Sequence, residues 1–240
     1  MKNEEFDLVI QNDETLNRLL NENELGVFAN FSNKAFESDD FKRYIDTAYR
    51  ASFKTIFQKY LGTSEEGKVT TLLRSVSVLA TLEFKEEIFQ DLNDVLETAY
   101  QKLDAFRKLT AKNATVNELV LVQNNIDEGL SFLVIDIINK FGNQRSLKAN
   151  KERILACSLD ICDGVSHADP KNETLKYAVY NVLINSLEKI NDFGPLKDRY
   201  EGHKSKISKK RTGVEVKYYL WTAFVIVIII VRILIRVARN

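Results

Sequence analysis

From Tyr218 to Val231 the chain reads YYLWTAFVIVIIIV, fourteen residues without a charge. Arg232 interrupts the run, and Ile233, Leu234 and Ile235 extend it to eighteen residues. As a helix rising about 1.5 Å per residue it would span roughly 27 Å, close to the ~30 Å hydrocarbon core of a bilayer. A β-branched run of this kind makes a poor helix in water. In lipid the backbone has no other way to satisfy its polar groups.

The flanks agree with a transmembrane reading. Tyr218, Tyr219 and Trp221, the only tryptophan, sit at the N-terminal end, where amphipathic rings favour the headgroup level. Arg232, Arg236 and Arg239 follow at spacings that place them on one helical face, with stems long enough to snorkel outward. These six residues are the expected membrane contacts of an anchor over 218–236, with 237–240 as a short tail. A buried core helix and a helix lying flat in the interface are the alternatives. A flat helix needs a polar face along its length, and Leu220–Val231 offers none.

Just upstream lies HKSKISKKRTGVEVK. Lys204, Lys206, Lys209, Lys210 and Arg211 make a basic neck, 201–217, expected to touch anionic headgroups. Ser205, Ser208 and Thr212 lie among them. Both flanks of the anchor are basic, so the positive-inside rule does not decide orientation alone. The larger upstream cluster, and the ease of moving a few residues rather than two hundred across a bilayer, predict a cytoplasmic N-terminal domain and a translocated C-terminus. The opening MKNEEFDLVIQNDE lacks the charged-then-apolar layout of a signal peptide. Two cysteines, Cys157 and Cys162, are too few for a disulfide framework.

The formal net charge of zero hides an asymmetry. Residues 201–240 hold nine Lys/Arg against two Glu, leaving 1–200 acidic by seven charges. An acidic domain is repelled by nucleic acid, so nucleic-acid binding is not expected.

Residues 1–200 read as an all-α, multi-helix bundle of six to eight helices. Only two prolines interrupt the chain, and apolar residues recur every three or four positions. Asp13 is a candidate N-cap, and Gly26 a break. A helix from Asp39 or Asp40 to Gly62 carries the stripe Phe41, Ile45, Ala48, Phe53, Phe57 and Tyr60. The next, from Ser64 to Glu83, buries Val69, Leu72, Leu73, Val76, Leu79 and Ala80. A third, from Phe84 to Lys112, uses Ile88, Leu92, Val95, Ala99, Leu103 and Phe106. Thr115-Val116-Asn117-Glu118 is a capping-box pattern. It opens what reads as one continuous and central helix to Phe141. Another helix runs from Leu147 to Cys162 and stops at Gly164. Asp169-Pro170 starts the last, which ends near Asp192 before Gly194-Pro195.

No phosphate-cradling glycine loop or metal-binding His-Glu-x-x-His pattern occurs. Cys157, Cys162 and His167 are weak metal candidates. Five-residue spacing turns the cysteines about 140° apart on a helix, and both read as buried small hydrophobes. His203, among lysines, reads as solvated. The acidic run Glu86, Glu87, Asp91, Asp94, Glu97 reads as a solvated face. The aromatics Phe41, Tyr44, Tyr49, Phe53, Phe57 and Tyr60 read as core, with some as lining for a partner groove. Nothing calls for a cofactor, and no motif identifies an enzyme. The expected function is a tail-anchored adaptor or scaffold that binds a protein partner at a lipid bilayer. The alternatives are a membrane-associated enzyme with an acidic or Cys/His site, and a membrane-remodelling or pore-forming helical protein. Against the last, Asn124, Asn125, Asp127, Glu128 and Asp136 interrupt its apolar helix.

Overall fold

A computed structural model describes residues 2–26, 28–61, 63, 65–110, 123–167 and 173–206. Those residues are all-helical, with no strand among them. The helices are α1 (Lys2–Asn12), α2 (Glu14–Asn17), α3 (Asp39–Tyr60), α4 (Glu66–Leu79) and α5 (Leu82–Thr110), then α6 (Gln123–Gly129), α7 (Phe132–Phe141), α8 (Arg145–His167), α9 (Glu173–Leu187) and α10 (197–206). A π turn, Arg18–Glu22, follows α2, and a 3-10 turn, Lys34–Glu37, precedes α3. Among the described residues no helix is long and apolar enough to cross a membrane. The run Tyr218–Ile235, with Tyr218, Tyr219, Trp221, Arg232, Arg236 and Arg239, lies outside the described residues. So do Lys209, Lys210, Arg211 and the capping box at Thr115.

Local signals set the helix starts. Asp13 accepts a hydrogen bond from Leu16 N at 2.9 Å, as an N-cap should. Ser38 accepts from Phe41 N, one residue ahead of the Asp39 or Asp40 start read from sequence. Thr81 caps α5 through Phe84 N, so the α4–α5 boundary falls at Ala80–Thr81 rather than after Glu83.

α3 and α4 form an antiparallel hairpin. Tyr49 bonds Ser75 at 2.6 Å through their hydroxyls, and Thr81 donates to Asp46 at 2.8 Å. The α4 face is buried at every expected position. On α3 Phe41, Ile45, Phe53, Phe57 and Tyr60 are buried as expected, Tyr49, Ser52 and Ile56 join them, and Ala48 is exposed. Tyr49 takes the inner position because its ring packs edge-on against Phe84 at 5.7 Å while its hydroxyl finds Ser75. On α5 the position inside is Leu96, with Val95 only half-buried.

The centre of the bundle is the α5–α8 pair, not the 115–141 segment. Asn150 donates to Asn93, Arg153 pairs with Glu97, Arg107 with Asp160, and Gly164 sits against Thr110. These contacts advance together along both chains, so α5 and α8 run parallel. The intervening segment returns antiparallel, with Lys102 paired to Glu128 and Phe89 against Phe141 at 5.6 Å. Over its described part, this segment is two helices. Ser131 adopts extended φ, ψ and caps Val134 N, breaking the expected single helix into α6 and α7. α8 likewise continues through Gly164, where the missing side chain admits Thr110 instead of ending the helix. α9 ends at Leu187, short of Asp192, and the chain turns at Gly194 (φ +52°) into α10. These breaks give more helices than the six to eight expected.

Gly129 marks the tightest approach of α6 to α5. A Cβ there would meet Leu103 Cγ at 2.6 Å, and Leu103 is fully buried. Gly129→Ala is expected to lower stability by about 1–3 kcal/mol, the usual cost of overpacking. Gly26→Ala, with nothing within 4 Å, should leave stability unchanged or slightly raised. Urea unfolding of the two variants checks this, and equal midpoints would refute it.

Candidate functional site

Three segments far apart in sequence enclose a groove of about 860 Å³. The last turn of α3 contributes Phe57, Gln58 and Leu61, and the middle of α5 contributes Asp91, Asp94, Val95, Thr98, Ala99 and Lys102. The α6–α7 junction adds Asp127, Glu128, Ser131, Leu133 and Val134. A smaller hollow of about 410 Å³ adjoins it, with Lys54, Glu87 and Gln90 beside the shared Phe57, Gln58 and Asp91.

The floor is apolar and preformed. Phe57 stacks on Phe53 at 5.7 Å, which holds its ring in place. Leu133 and Val134 are buried on α7, while Leu61 remains 39% exposed at the edge. Ser131 owes its place at the rim to its capping role, and Gly129 brings α6 close enough to α5 to shape the wall.

The rim is acidic. Asp91, Asp94, Asp127 and Glu128 are exposed around it, and Lys102 is taken by Glu128. Among the described residues no Lys or Arg forms an ion pair with Asp91, Asp94 or Asp127. Burial pushes the Asp91 carboxyl up from its ordinary value, and the charges of Asp94 and Glu87 add to this against the pull of Lys54. The acidic run was expected to be a solvated face, and Glu86, Glu87, Asp91 and Asp94 are exposed; within it Glu87 pairs with Arg50, Glu97 with Arg153, and Asp91 and Asp94 line the groove.

A second polar cluster joins α5, α8, α9 and α10. Arg199 binds Asp160 at 2.7 Å and Asp163 at 2.6 Å, and Arg107 links Asp160 to Asp104. His203 is not solvated: it is 3% exposed. Tyr180 Oη lies 2.6 Å from its Nδ1, and Asp163 Oδ1 lies 3.3 Å from its Nε2. The neighbouring lysines disguised it, since helical spacing turns His203 inward while Lys204 and Lys206 face out. These bonds fasten α10 to α8 and α9.

Cys157 and Cys162 are both buried free thiols on α8. Burial pushes each thiol up to about 12, so both are unreactive as nucleophiles in this state. Cys157 senses Arg107 and Asp104 of α5, while Cys162 lies toward Arg199 and Tyr180, so the two face different neighbours. The side chain of His167 lies outside the described residues. Among those described, no three His, Cys, Asp or Glu residues group as a metal site. Of the neck residues, Lys204 pairs with Glu188 at 3.3 Å and Lys206 is exposed at the end of α10.

Nothing in the comparisons assigns the groove a role. No protein-family model, curated protein or solved structure matches the chain. The groove escapes sequence reading because its walls are distant in the chain. The one signal for it was Phe57, placed among the aromatics of which some read as lining for a partner groove.

Burial holds the His203 imidazole below its ordinary value of 6.5 despite Asp163. The native state therefore binds this proton less readily than the unfolded chain, and stability falls as pH drops below about 6.5. His203→Gln removes that titration. The stability advantage of the wild type over the variant should shrink between pH 7.5 and pH 5.5, read by urea melts. A gap that widens on acidification would refute the assignment.

Proposed function

We propose that the chain is a tail-anchored adaptor whose acidic helical domain holds a protein partner at a membrane surface. The observation that carries the reading is the polarity of the chain. An acidic bundle with an apolar-floored groove is followed by a basic neck and then by eighteen residues holding one charge. Tyr218–Ile235 crosses the bilayer with Tyr218, Tyr219 and Trp221 at one interface and Arg232, Arg236 and Arg239 at the other. The N-terminal domain faces the cytoplasm. Confinement to a surface raises the effective concentration of whatever the domain binds.

The neck adds a second contact. Lys204, Lys206, Lys209, Lys210 and Arg211 approach anionic headgroups, each worth up to about 1 kcal/mol near the surface. Lys204 is shared with Glu188, so it contributes less than the others. Phosphate on Ser205, Ser208 or Thr212 would bring about −1.5 to −2 charge and weaken the contact.

The reading is checked with cells or vesicles whose cytoplasmic face is enclosed. Protease added outside should spare the N-terminal domain until the membrane is permeabilised, and a chain ending at Lys217 should leave the membrane pellet in high salt. Digestion in sealed vesicles would overturn the topology. Retention of the shortened chain in high salt would overturn the anchor as the tether. In low salt the shortened chain should bind liposomes in proportion to anionic lipid, and glutamine at the five basic positions should abolish this. Binding indifferent to lipid charge would reduce the neck to a topology signal.

A further inference from the structure

We infer that the α3–α5–α7 groove is a docking site for a lysine- or arginine-bearing amphipathic helix of a partner protein. The inference rests on the adaptor reading and names the chemistry of its partner.

The shape of the groove favours a helix. It follows α5 from Asp91 to Lys102, eleven residue steps or about 16 Å, the length of three helical turns. Phe57, Leu61, Val95, Leu133 and Val134 give the groove an apolar floor of the kind that takes the apolar face of an amphipathic helix. Its volume of about 860 Å³ suits the apolar face of such a helix and leaves the polar face in water.

The charges select the sign of the partner. Asp91, Asp94 and Asp127 stand at the rim with no cation paired to them among the described residues, and Lys102 is already engaged by Glu128. An acidic helix would add like charge to these carboxylates. A basic one supplies the missing counter-charge on both flanks of its apolar stripe, which gives register as well as attraction. The bundle as a whole is acidic, so long-range attraction has the same sign.

The test uses the full chain in nanodiscs of neutral phosphatidylcholine, with empty nanodiscs as blank. The probe is a fluorescein-labelled synthetic amphipathic helix with leucine at i, i+3/i+4 and i+7 and lysine on both flanks. A second probe carries glutamate in place of lysine. Fluorescence anisotropy should show the lysine helix binding and the glutamate helix not. Asp91→Asn, Asp94→Asn and Asp127→Asn together should weaken binding about tenfold, as three screened surface pairs predict. Leu61→Glu should weaken it further by blocking the floor. A control with Glu5→Gln, Glu83→Gln and Glu152→Gln removes the same charge elsewhere and should bind like the wild type. Equal weakening by this control would overturn the inference, reducing the attraction to net charge. A glutamate helix that binds, and is lost with Leu61→Glu, would overturn the basic partner while keeping the groove as a docking site. Failure of both probes would overturn the groove itself and leave the anchor reading intact. A peptide copying residues 204–217 that displaces the lysine helix and binds more tightly would make the chain's own neck the occupant, which also overturns the proposal.

Discussion

The parallel pairing of α5 with α8 is the contact on which the rest of the bundle depends. Two parallel helices cannot be joined by a tight turn, so the chain must travel back along them before starting again. α6 and α7 are that return path, and their apolar faces close α5 on a second side. The α3–α4 hairpin covers a third side through Phe53, Tyr49 and Phe84. α5 is therefore enclosed by helices whose own order in the chain is dictated by its pairing with α8.

This arrangement explains where polar groups are buried. Asn150 and Asn93 satisfy one another between the two central helices. Buried Lys151 reaches Asn143 at 2.9 Å and Asp192 at 2.8 Å, tying the start of α8 to the turns beyond α7 and α9. A buried ammonium left without those partners would be costly, so the two turns are fixed together. The Arg199 and His203 cluster does the same at the opposite end of α8. Between these two polar clasps Ile154, Leu155 and Leu159 are buried, and Arg153 pairs with Glu97 at the edge.

Much of this was legible in the sequence. The aliphatic part of the buried face of α4 follows directly from apolar spacing, while buried Thr70, Thr71 and Ser75 do not show in it. The Asp13 cap was legible because its geometry is local. What failed was non-local. Ser52 looks polar in the string, yet it is buried on α3 beside Tyr49, an aromatic that the sequence did place in the core. Gly164 looks like a stop, but its lack of a side chain serves Thr110, which is fifty-four positions earlier in the chain. Ser131 looks like an exposed residue of a long helix, and its capping role emerges only once the backbone turns. The groove is the extreme case, since no window of sequence contains two of its walls.

The direction of α10 carries a geometric consequence. Its contacts with Asp160 and then Asp163 advance along α8, so it runs the same way as α8 and α5. Lys206 therefore leaves the bundle at the end where α5 finishes at Thr110 and α8 at His167. Asp91 to Lys102 lie eight to nineteen residues before Thr110, which is about 12–28 Å down the helix. The groove therefore opens on the flank of the bundle, set back along α5 from the end that Lys206 reaches, so whatever occupies it meets the side of the helices and not their tips.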